Sequence, residues 1–288
     1  MKYLFYPGCS QDSSALEYKK STLAVMAALG AEVEELADWT CCGASAAAVM
    51  SDLLGLVLPA RNLALAEQAG AELDILVACS ACYTNFRATA AAVEGKPKLL
   101  AQINRALEVE GVTYHGQARA RHVMDILAND FTVEEIKARV VRPLEGLTVA
   151  PYYGCQTVRP YSPYDDDQRP TSMEAVIEAL GATVYHHTRT ATCCGTSLLM
   201  TKPHVGYTMV GSILEACAPA DCVAVVCPMC HMNLDSYQDQ TSHAVGKSLH
   251  IPIIFLPQLM GLAFGLSDDD LLFKRHVVSV KPVLEKLA

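Results

Sequence analysis

The sequence has no run rich in lysine and arginine, and 31 acidic against 22 basic residues leave a net charge of −9 and a pI of about 5.4. The positive surface with which a nucleic-acid binder neutralises phosphates is therefore missing, and no nucleic-acid partner is expected. Long hydrophobic runs are missing as well. Residues Met1 to Pro7 contain no apolar stretch of signal-peptide length. The longest apolar tract, Ile251 to Leu266, is broken by Pro252, Pro257 and Gln258; it falls short of the roughly 20 residues that a membrane span needs. These absences predict a cytoplasmic protein with no direct membrane span. Two cofactor signatures are also lacking: the Cys-x-x-Cys-x-x-Cys-x-x-x-Cys-Pro run of cubane iron–sulfur clusters and the Gly-x-Gly-x-x-Gly fingerprint of dinucleotide sites. With 51% hydrophobic and 18% charged residues, the chain has the material for a sizeable core and does not read as disordered.

Cysteine, in contrast, is abundant, with twelve in 288 residues. Ten fall into two copies of one pattern: a lone Cys, then Cys-Cys-Gly, then Cys-x-x-Cys. The first copy is Cys9, Cys41-Cys42-Gly43 and Cys79 with Cys82. The second is Cys155, Cys193-Cys194-Gly195 and Cys227 with Cys230. In a small secreted domain such cysteines form a disulfide framework, whereas in a reducing cytoplasm they bind metal or do chemistry. Adjacent Cys-Cys pairs suit a disulfide framework poorly. Five thiols exceed the four of a tetrahedral zinc site and the four of a cubane cluster. A redox cluster is the first candidate. Zinc, with one thiol per half left over, stays open. A lone Cys-x-x-Cys would fit a thioredoxin-like redox pair, but here each is tied to three further cysteines by the duplication. Cys217 and Cys222 lie outside both copies and read as small buried hydrophobes.

The repeat extends beyond the thiols. Tyr6-Pro7-Gly8-Cys9 matches Tyr152-Tyr153-Gly154-Cys155, and Ala28-Leu29-Gly30-Ala31 matches Ala179-Leu180-Gly181-Ala182. Cys41-Cys42-Gly43-Ala44-Ser45 matches Cys193-Cys194-Gly195-Thr196-Ser197. Offsets of 146, 151 and 152 residues mark a duplicated domain rather than a solenoid.

Each half alternates strand and helix. Strands are predicted at Lys2–Tyr6, Glu32–Leu36 and Leu73–Ala78, and again at Val149–Gly154, Thr183–His187 and Val223–Val226. A further strand is expected at Ile251–Phe255. Ser14 with Glu17, and Thr171 with Glu174, have the spacing of capping boxes, and Gly30 and Gly181 are natural helix stops. Met173, Val176, Ile177 and Leu180 form one buried helical stripe. Helices are also expected at 46–69, 197–216, 99–107, 118–129 and 133–141. The loop from Pro160 to Pro170 carries an acidic run, Asp165 to Asp167, read as solvated.

The pattern predicts an α/β protein of two duplicated Rossmann-like halves with mostly parallel sheets. Residues 1–146 form the first half with a helical connector, and 147–288 the second. Every cysteine group then follows the carboxyl end of a strand, the edge where open α/β sheets bind ligands. Gly43 and Gly195 allow the sharp turn that aims both cysteines of a pair at one centre. Cys-x-x-Cys at a helix start, with Pro228 at a first helical position, meets free N–H groups that favour thiolate.

On these motifs, and on the closing stretch Ile251-Pro252-Ile253-Ile254-Phe255-Leu256-Pro257-Gln258-Leu259, the chain resembles the heterodisulfide reductase B-subunit family, built of two cysteine-rich CCG domains, over nearly its whole length. The resemblance implies that Cys9, Cys41, Cys42, Cys79 and Cys82 ligate one non-cubane [4Fe–4S] cluster. It implies that Cys155, Cys193, Cys194, Cys227 and Cys230 ligate a second. A disulfide would be cleaved, or thiols oxidised, between them. It also implies electrons from a small ferredoxin-like partner with cubane [4Fe–4S] clusters, itself fed by a flavin-containing partner of the same complex. One departure is the gap from Cys-Cys to Cys-x-x-Cys, 36 residues in the first half and 32 in the second. Both are shorter than the family's spacing, as if a loop or helix turn had been trimmed.

No conventional acid–base set is visible. His231, next to Cys230, is a candidate proton or hydrogen-bond donor, with the alternative that it is structural. His186 and His187 carry the same pair of readings. Arg159, Arg189 and Lys202 are candidate anion binders or surface ion-pair partners. Related CCG proteins in sulfur-oxidising, lactate- or glycolate-oxidising and fumarate-reducing systems give a second functional expectation. A zinc-binding, non-catalytic scaffold gives a third.

Overall fold

A computed structural model of the chain describes every residue except Ser45, Ala71 and Ser162. Ser45, the last residue of the matched Cys-Cys-Gly segment, thus lies outside the described residues. The first half runs β1 (Lys2–Tyr6), α1 (Gly8–Gln11), α2 (Leu16–Ala28), β2 (Glu32–Glu35), α3 (Ala47–Met50) and α4 (Asp52–Gly70). It continues with β3 (Asp74–Val77), α5 (Ser80–Val93), α6 (Pro97–Leu107), β4 (Arg119–His122), α7 (Val123–Asn129) and α8 (Val133–Ala138). The second half runs β5 (Thr148–Tyr152), α9 (Ser172–Ala179), β6 (Thr183–Val184), α10 (Leu198–Thr201) and α11 (Pro203–Cys217). It closes with β7 (Cys222–Val225), α12 (Pro228–Ser236), α13 (Gln238–Val245), β8 (Ile253–Phe255), α14 (Leu256–Ala263), α15 (Asp268–Leu271) and α16 (Lys281–Lys286).

The strands form two four-stranded sheets, ordered β2-β1-β3-β4 and β6-β5-β7-β8, and every pairing is parallel. The α/β expectation with duplicated parallel halves holds. In each sheet the chain moves outward once, then crosses back to the other side of the starting strand. The reversal lies between β1 and β3, and between β5 and β7. Open α/β sheets leave a crevice at the carboxyl end of such a reversal, because flanking loops diverge to opposite faces. Cys9 and Cys79 follow the two strands of the first reversal, and Cys155 and Cys227 those of the second.

Several sequence expectations need correction. The segment 118–129 is not one helix: β4 precedes α7. Its Arg119 and Arg121 disguise the strand, since the register puts Asp74 of β3 beside them to accept their guanidinium N–H groups at 2.7 and 3.1 Å. The strand at Thr183–His187 shrinks to two residues. Neither predicted capping box forms. The N-cap of α2 is Ala15, and Glu17 is buried against Arg275 at 2.8 Å. At α9, Thr171 makes no side-chain cap. The Asp165 carboxylate takes its place, accepting the N–H groups of Thr171 and Ser172 at 3.0 and 2.9 Å. The acidic run is therefore partly structural. The expected helices 46–69 and 197–216 each break near their start, at Ser51 and Lys202.

The difference between the two gaps lies in one helix. Helix α4 has 19 residues and α11 has 15, which accounts for the difference of four between the two gaps.

Core residues of both halves merge. Helix α2 packs on α14 and α15, and α7 and α8 pack on α9. Tyr18 of α2 stacks on Phe255 with ring centroids 4.0 Å apart, and its hydroxyl donates to the Val226 carbonyl at 2.9 Å. The apolar tract from Ile251 onward becomes β8 and the wholly buried α14. Among the described residues, no helix is long and apolar enough to cross a membrane.

Candidate metal centre

All twelve cysteines are free, and Cys217 and Cys222 are fully buried in the core. The remaining ten gather at two places, one at the carboxyl edge of each sheet. In the first, Cys42 Sγ lies 3.2 Å from Cys82 Sγ, and Cys41 Sγ accepts the Gly43 N–H at 3.4 Å. Cys82 is also hydrogen-bonded to Cys79, and the charge of Cys9 reaches Cys41. In the second, Cys155 bonds Cys193, and Cys230 bonds both Cys194 and Cys227. The Cys193 Sγ accepts the Gly195 N–H, again at 3.4 Å. Each centre has three buried thiols, while the lone cysteine and the first of the Cys-Cys pair are exposed in the first centre and half-buried in the second.

Local backbone geometry explains the convergence. Gly43 and Gly195 have φ of +73° and +89°, a region open to glycine, which turns the pair back on itself. Gly8 and Gly154, before the lone cysteines, also have positive φ. A Cβ on either would stand 3.2 Å from Cys82 Sγ or 2.8 Å from Cys230 Sγ. Cys79 and Cys227 are the N-caps of α5 and α12, and Pro228 takes the first position of α12.

Two repeated supports escape a reading of the sequence by motif. Tyr6 and Tyr152 end their strands and donate to the carbonyls of Thr40 and Thr192, at 2.7 and 2.6 Å. Those carbonyls immediately precede the Cys-Cys pairs. Asn85 and Asn233, each three residues after its Cys-x-x-Cys, donate to the carbonyls of Cys42 and Cys194, at 3.0 and 3.2 Å. Asn233 also reaches Cys194 Sγ at 3.5 Å. The asparagines do carry a signal: they match when Cys82-Tyr83-Thr84-Asn85 is set against Cys230-His231-Met232-Asn233.

The two centres face each other across the junction of the halves. Ser80, between Cys79 and Cys82, hydrogen-bonds Thr157 at 2.6 Å and also reaches Cys227. Behind it stands the buried His122, its Nε2 3.3 Å from Ser80 Oγ and its Nδ1 accepting the Met124 N–H. A narrow cleft over the second centre is walled by Ser80 and Ala81 of the first half, with Cys155, Thr157 and Cys194 of the second. Tyr18 feels the charge of both Cys227 and Cys79. None of these contacts is local in sequence.

Electrostatics follow the packing. The Cys42 thiol is held low by hydrogen bonds from Cys41 and Cys82, and Cys193 by one from Cys155. Their partners Cys82 and Cys155 are correspondingly pushed up. Burial, then the neighbouring thiols, raises the Tyr6 and Tyr152 phenols. Burial holds His122 neutral, its pKa pushed down to about 4.

These residues fit a thiophilic metal group. Sulfur is the side-chain donor at both centres that selects soft or borderline metals, and backbone N–H groups already point at two of the sulfurs. Two residues after Cys9, Gln11 is fully buried, and among the described residues neither amide atom has a hydrogen-bond partner. Buried amides are normally satisfied, so an ordered water or a group bound beside Cys9 can take up this one.

The other candidates are scattered. His231 stacks on Phe255 and spends its Nε2 on Ile253 O and His276, both at 3.2 Å. His187 bonds the Pro151 carbonyl at 2.9 Å and lies beside Cys217, while His186 is exposed. Arg159 donates to the carbonyls of Ala191 and Asp167, and its charge favours the Cys193 thiolate. Arg189 and Lys202 are exposed.

A model of the cysteine-rich CCG domain matches residues 3–87 and 149–235. The 8-methylmenaquinol:fumarate reductase membrane anchor subunit of Wolinella succinogenes is 34% identical over 96% of this chain and 97% of its own length. A heterodisulfide reductase B-subunit-like protein of Archaeoglobus profundus is 28% identical, covering 93% of this chain and 92% of that protein. The B subunit of the ferredoxin:CoB-CoM heterodisulfide reductase of Methanosarcina mazei is 27% identical over 99% of this chain and 97% of its own. Among solved structures, a hypothetical protein from Helicobacter pylori has a TM-score of 0.78 at 14% identity, over 97% of this chain. The chain spans about half of that protein, at 52% of its length, and the likeness speaks for the fold alone. With both CCG segments matched and full-length relatives of this kind, the chain belongs to the heterodisulfide reductase B-subunit family of CCG-domain proteins.

Proposed function

We propose that the chain is the CCG subunit of a heterodisulfide reductase-like complex and carries two non-cubane [4Fe–4S] clusters. In this reading Cys9, Cys41, Cys42, Cys79 and Cys82 hold one, and Cys155, Cys193, Cys194, Cys227 and Cys230 the other. The single observation behind it is the gathering of five thiols at each sheet reversal, with the two sets facing each other through Ser80 and Thr157. When bound, such clusters supply one-electron transfer and Lewis-acidic iron. The chain's own residues hold and tune them: Gly43 and Gly195 donate N–H groups to sulfur, Asn85 and Asn233 fix the loops, and Tyr6 and Tyr152 wall off water.

Cleaving a disulfide takes two electrons and two protons and yields two thiols. Paired centres at one junction match that electron count. Electrons would come from a ferredoxin-like partner with cubane clusters, fed by a flavin-containing partner, on the cytoplasmic side. Arg159, beside Cys193, is the best-placed cation for an anionic substrate. We also assign residues 1–146 and 147–288 to separate duplicated domains.

The Wolinella succinogenes relative, at 34% identity, favours a second reading in which the same centres pass electrons from a quinol to a fumarate-reducing partner.

Anaerobically purified protein is expected to hold about eight irons per chain, four for each cluster. Zinc without iron would reject the cluster reading. Disulfide cleavage with reduced viologen by the assembled complex, abolished in Cys42→Ser, is the outcome for the first reading. Menaquinol oxidation without disulfide turnover is the outcome for the second.

A further inference from the structure

We propose that His231, Asp235 and His276 form a separate binding site for a borderline divalent cation of the zinc class, clasping helix α12 to the C-terminal segment. His231 and Asp235 are four residues apart on α12 and so share a face. His276 follows a 3-10 turn, Phe273–Arg275, and comes in from the opposite side. One nitrogen or oxygen from each of the three lies within 4.8 Å of the others. His231 Nε2 and His276 Nδ1 are 3.2 Å apart. Tetrahedral zinc with nitrogen ligands at about 2.0–2.1 Å separates them by roughly 3.3 Å. The Ile253 carbonyl, 3.2 Å from His231 Nε2, also faces His276 and offers a fourth donor.

Surrounding hydrogen bonds hold His276 and Asp235 in place. Gln258 holds His276 Nε2 through both amide atoms, Nε2 at 2.9 Å and Oε1 at 3.1 Å, while Oε1 also accepts the Phe255 N–H at 3.0 Å; a cation on Nδ1 requires the tautomer in which His276 Nε2 donates to Oε1. Gln258 is itself fixed by donating to Leu271 O at 2.7 Å. The Asp235 carboxylate is oriented by the N–H groups of Val277 and Val278, at 2.7 and 3.1 Å, which leave lone pairs on both oxygens. Such orienting partners are what metal-binding imidazoles and carboxylates require. Among the described residues no counter-cation faces the buried Asp235, whose carboxyl burial pushes up to about 6. His276 is only partly covered and lines a surface cleft with Phe273 and Val277, a path of entry. Two nitrogens with oxygens suit zinc, cobalt or nickel rather than an iron–sulfur centre.

The test uses cluster-loaded, chelator-washed protein dialysed against cobalt(II) under argon. Wild type is expected to keep one cobalt per chain that His276→Gln and Asp235→Asn both lose, with iron content unchanged. Cobalt-edge X-ray absorption of the wild type alone decides the ligands: imidazole scattering without sulfur supports the site. A sulfur shell, or equal cobalt in wild type and variants, overturns it.

Discussion

Ser80 Oγ of the first half and Thr157 Oγ1 of the second stand 2.6 Å apart, and Ser80 also hydrogen-bonds Cys227. A residue embedded in one Cys-x-x-Cys therefore touches a thiol of the other centre. Hydrogen bonds to cluster sulfur favour the more reduced, more negative state. Ser80→Ala is expected to lower the midpoint potential of the second centre by roughly 40 mV, equivalent to about 1 kcal/mol for one electron. The first should move less. Anaerobic potentiometric titration followed by electron paramagnetic resonance checks this; equal shifts at both centres would contradict it.

Gly154 has φ of +71°, and a Cβ there would stand 2.8 Å from Cys230 Sγ. Gly154→Ala should cost about 1–2 kcal/mol from the left-handed backbone and displace Cys230 as well. The expected result is loss of about half the iron, with the first centre's signal retained, read by iron analysis and Mössbauer spectroscopy.

Asn233 donates to two carbonyls and to Cys194 Sγ, whereas among the described residues Asn85 donates to the Cys42 carbonyl alone. Asn233→Ala should therefore be the more damaging of the two equivalent substitutions. Each lost hydrogen bond to a buried acceptor contributes roughly 1 kcal/mol. Chemical-denaturation midpoints of the two variants, measured anaerobically, test the order.

His122 remains neutral in the folded protein down to about pH 4, while the unfolded chain takes up a proton near 6.5. The folded state thus binds fewer protons in that window. Its stability is full above about pH 6.5 and is lost as pH falls toward 4, by up to roughly 3 kcal/mol. His122→Asn should flatten this acid limb. The difference between wild-type and variant denaturation midpoints at pH 7.5 and pH 5 measures it; parallel curves would exclude His122 as the source.

The duplicated framework is legible in the sequence because it repeats. Strands ending at Tyr6 and Tyr152, glycine stops at Gly30 and Gly181, and ten ordered cysteines each appear twice, so that one half checks the other. Strand β4 is hidden because Arg119 and Arg121 look solvent-facing until Asp74 is placed beside them. The cap of α9 is hidden because Asp165 reaches back from a loop, outside the local capping spacing. Ser80, His122, Thr157 and Tyr18 carry no local signal, since their roles arise only where the halves meet. Asn85 and Asn233 are intermediate: they stand out only once the thiols of the two halves are superposed in register.

The four-residue difference between α4 and α11 has a consequence for how these domains vary. Four residues advance a helix by 400°, within about 40° of a full revolution, so α11 can be shorter and still present its apolar side to the sheet. Removing two residues instead would rotate everything beyond the cut by about 200° and turn Ile213 and Leu214 outward. Length changes between the cysteine motifs of this fold should therefore cluster at near-whole revolutions, leaving the thiols in place while the helix behind them grows or shrinks.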